Sequence, residues 1–306
     1  MATKTRFLIV CNMKSGSTWL ELMLGSLGDV AVDYEFKWRP GYPPGPEHVV
    51  IPDRHFRCGE VLLGIGEGKP IVGSKLVLDY YETTDTAYEG LEETIEGDIR
   101  VIHVTRDYID LYLSATFHPG IKLADTVTVD RGSALLRSML AKNPEVDRMN
   151  LVTGQEEQVH VLPESLIPVM NAMLMNDLAA MRLAGRWHYL VVDYAEIRER
   201  FGEIVRFIGS SAAPEEITRV LESPPTVKNS RLRPHELISN FGQLERMSQQ
   251  YDEKRRELVA RLAAARKNLR PGMPGSIAPG VVAFGSTTPG AVALGSTAPE
   301  ALGGQS

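Results

Sequence analysis

The sequence predicts an α/β fold, a central parallel sheet with helices on both faces. Three observations predict it. Phe7 to Cys11 is a five-residue apolar run, the pattern of a parallel strand covered on both sides. It leads through a short polar turn, Asn12 to Ser17, into a helix from about Thr18 whose Trp19, Leu20, Met23, Leu24 and Leu27 fall on one stripe. Further apolar runs at Pro70 to Leu78, Ile99 to Thr105 and Trp187 to Val192 alternate with helical segments, and that alternation implies parallel strands joined by right-handed crossovers.

The first turn is a phosphate cradle by its physics. A strand, turn and helix present free backbone N–H groups at a helix N-terminus, which carries partial positive charge and welcomes an anion. Lys14 adds a full charge, Gly16 lets the backbone come close, and Ser17 and Thr18 add hydroxyls. A Walker A loop places its Lys after the last Gly. Here Lys14 comes two residues before Gly16, so that motif does not match.

Asp29 to Pro52 is rich in aromatics, Pro and Gly. Pro40, Pro43, Pro44 and Pro46 forbid a long helix, and the segment is expected to be a long surface loop of the lid or binding kind. Arg54 to Gly66 is expected to be helical in part. The second strand, Pro70 to Leu78, contains Lys75 near its end. Tyr88 to Ile95 is expected as a short helix. Arg106 closes the third strand, and Asp107 is placed to cap a helix over Tyr108 to Phe117, with Ser114 on its second turn. His118 to Gln158 is polar and poorly periodic, with a helix expected near Ser133 to Lys142. Leu162 to Leu183 reads as a long helix whose Met170, Met173, Met175 and Met181 fill core. The fourth strand, Trp187 to Val192, is followed by Asp193, Tyr194 and a helix. Pro214 to Leu221 is another helix, and the segment from Pro224 is a basic loop. Gln243 to Leu269 is a charged amphipathic helix, polar enough to be largely exposed. It permits a homodimer without requiring one.

Two sequence segments stand out as units. Residues 1–270 have the length and content of one large α/β domain. Residues 271–306 hold three ten-residue near-repeats beginning at Gly275, Gly285 and Gly295, too dense in Pro and Gly for helix or strand, and are expected to be a disordered tail. The net charge of −6 does not suggest a nucleic-acid partner. Two cysteines, Cys11 and Cys58, without metal-ligand spacing fit a reducing, cytoplasmic setting, and no metal site is expected. No apolar stretch approaches the roughly 20 residues of a membrane span, and no targeting segment is visible.

The order Lys14-Ser15-Gly16-Ser17-Thr18-Trp19-Leu20 resembles the loop, usually K-x-G-[TS]-T-x-[LW], that binds the 5′-phosphosulfate of 3′-phosphoadenosine-5′-phosphosulfate (PAPS) in sulfotransferases. RDYIDLYLS, with Arg106, Asp110 and Ser114, is similar to their 3′-phosphate stretch, R-x-x-x-D-x-x-x-S. Arg suits a phosphate because its planar fork donates twice. Tyr194 matches a strand-end Tyr that lies near the adenine in that family, although Ala195 stands where a Glu is usual. Lys228, Arg231 and Arg233 lie in a basic loop comparable with one that closes over the 3′-phosphate. The resemblance covers about sixty residues and implies a P-loop-type three-layer sandwich.

It further implies an enzyme of the bacterial small-molecule or carbohydrate type. Such an enzyme moves a sulfuryl group from PAPS to a hydroxyl of a small-molecule, carbohydrate or lipid acceptor. Lys14 is expected to stabilise the bridging oxygen and Lys75 to reach the sulfonate or acceptor. The His of the cytosolic K-x-H motif is absent, since Val77 stands there. By resemblance to trehalose-type enzymes Glu35 is the favoured base, with Asp33, Asp79 and His118 behind it. A P-loop small-molecule kinase and a non-catalytic nucleotide-binding scaffold are the rival readings.

Overall fold

The computed structural model describes residues 4–38, 49–51, 62, 68–78, 91, 95, 97–114, 151–153, 159–224, 235 and 238–267. Strand β1 (Thr5–Asn12) leads to helix α1 (Ser17–Gly25), then β2 (Val30–Trp38), β3 (Val49–Ile51), β4 (Ile71–Leu78) and β5 (Ile99–Thr105). Helix α2 occupies 108–114. Next come β6 (Leu151–Thr153), β7 (Val159–Val161), α3 (Pro163–Arg182), β8 (His188–Asp193), α4 (Ile197–Phe207), α5 (Pro214–Glu222) and α6 (Phe241–Lys267). Six strands form one sheet in the order β3-β2-β4-β1-β5-β8. Every neighbouring pair in it is parallel, as the apolar runs predict.

The two-residue period of β1 divides the core. Phe7, Ile9 and Cys11 face α1, α4 and α5 through Leu20, Met23, Leu24, Phe201, Ile204 and Val220. Leu8 and Val10 face the other layer, built from α2, α3 and α6. All five residues from Phe7 to Cys11 are completely buried, which only a sheet covered on both faces allows. The four methionines of α3 are buried in the second layer, in the core-filling role expected of them. Among the described residues, no helix is long and apolar enough to cross a membrane.

Two expectations need correction and a third needs an addition. Asp29 to Pro52 is not one loop: it contributes β2 and β3. The prolines begin at Pro40, after β2 has ended, and VAVDYEFKW is itself rich in β-branched and aromatic residues. The stretch ending at Gln158 is not wholly irregular, because β6 pairs antiparallel with β7. Finally, α6 is exposed along much of its surface, as expected, but it also carries a continuous buried face. Leu244, Met247, Ser248, Tyr251, Asp252, Arg255, Leu258 and Leu262 recur at three- and four-residue spacing and are buried. Three of these are polar, which disguises the inward face as a solvated one. Most of the helices expected at 54–66, 88–95 and 133–142, together with Cys58 and the tail at 271–306, lie outside the described residues.

Candidate active site

Among the described residues, the sequence-selected ones gather toward the carboxyl ends of β1, β5 and β8, where open parallel sheets bind ligands, with Lys75 three residues before the end of β4. The turn after β1 is held in an unusual path. Lys14 has φ 65° and Gly16 has φ 89°, so two residues within three occupy the left-handed region. For Lys14 that conformation costs about 1–2 kcal/mol. Gly16 is the N-cap of α1, and its carbonyl accepts from Trp19 N (2.9 Å) and Leu20 N (3.3 Å). The helix-start N–H groups of Ser17 and Thr18 have no carbonyl one turn earlier to bond. Ser15 Oγ is fully buried and has no hydrogen-bond partner among the described residues.

Arg106 joins this turn to β5. Its Nη1 donates to the Lys14 carbonyl at 3.2 Å, while Nε and Nη2 donate to Asp110 Oδ2 at 3.3 and 3.0 Å. Its guanidinium carbon lies 4.6 Å from the Tyr194 ring centroid, and Tyr194 meets Trp19 edge-on with centroids 6.0 Å apart. A guanidinium has five N–H groups. Three are engaged, which leaves about two for a ligand. Ser114 is four residues beyond Asp110, one turn further along that face of α2.

Lys75 lies on the α1 face of β4. Its Nζ donates to Thr18 Oγ1 at 2.7 Å and pairs with Glu21 Oε2 at 3.1 Å, with both side chains buried. Glu21 carried no motif, and only its place one turn after Ser17 could have drawn attention to it. Glu35 stands in register with Lys75 on the adjacent β2. A β-bulge puts it there: Val32 pairs with Gly73 and Glu35 with Lys75, so β2 holds one extra residue between the two pairings. Without the bulge, Tyr34 would occupy that register. Asp33 lies in the bulge, while Asp79, His118, Lys228, Arg231 and Arg233 lie outside the described residues.

Beneath the turn is a buried polar network with no sequence motif. Asp177 of α3 accepts from Asn12 Nδ2 (2.8 Å) and Tyr108 Oη (2.6 Å), and its Oδ1 is 3.1 Å from His103 Nε2. Tyr189 Oη lies 2.7 Å from His103 Nδ1. Burial, reinforced by Asp177, holds the Tyr108 hydroxyl well above its ordinary range, so it remains a donor. Asp107 takes the N-cap place of α2, its carbonyl accepting from Leu111 N at 3.0 Å. The capping side chains come from α6 instead: Asp252 Oδ1 accepts from Tyr108 N (3.2 Å) and Ser248 Oγ from Ile109 N (2.9 Å).

Burial raises Asp252 to about 6, with Arg255 acting in the opposite direction. Its ordinary value is lower, so the folded chain holds this proton over a range where the unfolded chain has released it. The resulting stabilisation is complete below about pH 4 and is lost as pH rises through 6, on the order of 2 kcal/mol. Urea unfolding of wild type and Asp252→Asn at pH 4.5 and 7 should show wild type losing ground to the variant as pH rises. A difference that does not change with pH rejects this.

No protein-family model matches the chain, and no curated protein matches it. Among solved structures it is similar to mouse sulfotransferase SULT7A1 complexed with PAP, at 14% identity and a TM-score of 0.33. The alignment covers 73% of this chain and 64%, under two thirds, of that one. It is similar to a sulfotransferase from Alicyclobacillus acidocaldarius, at 16% identity and a TM-score of 0.40, over 72% of this chain and 90% of that one. It is also similar to the sulfotransferase domain of the Synechococcus PCC 7002 olefin synthase, at 12% identity and a TM-score of 0.35, over 75% and 80%.

Proposed function

We propose that this chain transfers a sulfuryl group from PAPS to a hydroxyl of a small-molecule, carbohydrate or lipid acceptor. One contact carries the proposal: Arg106 of the second motif donates to the carbonyl of Lys14 in the first. Two stretches chosen for opposite ends of one nucleotide are thus joined in space. The residues present suit the donor. The left-handed turn, the buried unpartnered Ser15 Oγ and the helix-start amides of Ser17 and Thr18 fit a 5′-phosphosulfate. The spare N–H groups of Arg106, with Ser114 one turn beyond Asp110, fit a 3′-phosphate, and the Tyr194 and Trp19 rings offer an aromatic surface for a base.

Bound PAPS supplies an activated sulfuryl group. In this reading Lys14 neutralises charge on the oxygen between sulfur and phosphorus as that S–O bond breaks. Lys75 balances charge on the sulfonate oxygens. Glu35 takes the acceptor's proton as the acceptor oxygen forms the new bond to sulfur. Positioning and charge stabilisation do the rest.

Calorimetry with 3′-phosphoadenosine-5′-phosphate, against AMP, ADP and ATP, tests the donor. The 3′-phosphorylated nucleotide should bind best, and Arg106→Ala should weaken it at least tenfold, the equivalent of ~1.5–3 kcal/mol for a charged hydrogen bond. Preference for ATP with magnesium supports a kinase, and no binding removes the nucleotide donor altogether; either result overturns the proposal.

A further inference from the structure

We infer that Arg255 of α6 is a positioning residue for Arg106, setting the anion-facing arginine through its backbone. Arg255 is 2% exposed and donates through Nη1 to the Arg106 carbonyl. That carbonyl is not used by α2, whose first carbonyl acceptor is Asp107. Without Arg255 it would be a half-buried acceptor lacking this donor, at the joint between β5 and α2.

Arg255 also grips the structure on the other side of Arg106. Its Nη2 lies 3.8 Å from Asp193 Oδ2, at the end of β8. Asp193 in turn accepts from Thr105 Oγ1 at 3.2 Å and from Ala195 N at 3.0 Å, which fixes the corner carrying Tyr194. The Tyr194 ring is the surface on which the Arg106 guanidinium lies. One buried side chain therefore holds both the peptide that carries Arg106 and the corner that carries its aromatic support.

The guanidinium is itself fixed from several directions. Nη2 is 3.2 Å from Asp252 Oδ1 and 3.7 Å from Asp107 Oδ1, Nη1 is 3.9 Å from Asp177 Oδ2, and the Tyr108 ring centroid is 4.9 Å away. A fork with five donors meets these partners together, whereas a lysine ammonium is a single point of charge. Arg255 acts through the groups it contacts, the Arg106 peptide and the β8 corner.

The inference rests on the donor reading only for the identity of the anion. Its test is the ratio of dissociation constants for AMP and 3′-phosphoadenosine-5′-phosphate, measured by calorimetry on the full chain. Wild type, Arg255→Lys, Arg255→Met and Leu258→Ala would be compared. Leu258 is buried on α6 one turn beyond Arg255 and serves as the packing control. Both Arg255 variants should lose at least tenfold of the preference for the 3′-phosphate. Leu258→Ala should lower the melting temperature and keep the ratio within twofold. If Arg255→Met does not fold, the lysine variant, which retains a cation in the cavity, carries the test. A wild-type ratio in folded Arg255→Lys overturns the inference, as does an equal loss in Leu258→Ala. A wild type with no preference at all overturns the donor reading itself, and the inference with it.

Discussion

Gly16→Ala is expected to abolish nucleotide binding and to lower stability by about 2–4 kcal/mol. Two separate penalties combine. The φ of 89° is a conformation that a Cβ makes costly, by about 1–2 kcal/mol. The added methyl would also sit inside the van der Waals envelope of Tyr194 Cδ2 and Cε2. Tyr194 cannot simply turn aside, because its ring supports Arg106 on its face and meets Trp19 edge-on. Moving it takes the guanidinium and the loop apart. A double-mutant cycle separates the two penalties. In a Tyr194→Ala background the cost of Gly16→Ala should shrink to its backbone part, about 1–2 kcal/mol. Equal costs in both backgrounds, by urea unfolding, would show that the ring has no part in it.

Asp177→Ala should be the most damaging change to the fold, at about 3–5 kcal/mol. The carboxylate is 1% exposed and serves Asn12, Tyr108 and His103 directly, with Arg255 close by. Alanine would leave each of those groups buried without its acceptor, and each orphan costs about 1–3 kcal/mol. Asn12 ends β1 and Tyr108 begins α2, so both strand-to-helix junctions of the site should loosen together. Denaturant unfolding gives the stability, and nucleotide calorimetry gives the effect on the site. A loss under 1 kcal/mol would mean that water or neighbouring side chains replace the carboxylate.

How much of this was legible in the sequence depends on distance along the chain. The β1–turn–α1 unit was readable because its apolar run, its Lys and Gly, and its helical stripe all lie within some twenty residues. Arg106, Asp110 and Ser114 share one short segment, and α3 declared itself by length and periodicity. Two features hide structure from the sequence. β2 is masked by the prolines that follow it, which begin only at Pro40. In α6 a buried face was hidden because Ser248, Asp252 and Arg255 read as solvent-facing. Asp177 cannot be found by pattern, since an isolated carboxylate far along a Met-rich helix looks like a surface residue. Its partner Asn12 is 165 residues away, and nothing local signals that they meet. Glu35 follows from the resemblance alone, and its register with Lys75 depends on a bulge that no periodicity reveals.

The central place of β1 has a consequence for synthesis. Ile9 pairs with Lys75 on one side and with Ile102 on the other, 66 and 93 residues later in the chain. At translation rates of about 5–20 residues per second, this strand waits for seconds before either neighbour exists. Throughout that interval Phe7 to Cys11 is an uncharged, proline-free segment with α1 to cover one face and no strand on either edge, the kind that pairs with copies of itself. The chain cannot nucleate its sheet from the N-terminus outward. Its first strand instead stays open at both edges until β4 is made, and the nascent protein gains from shielding that strand until β5 has followed.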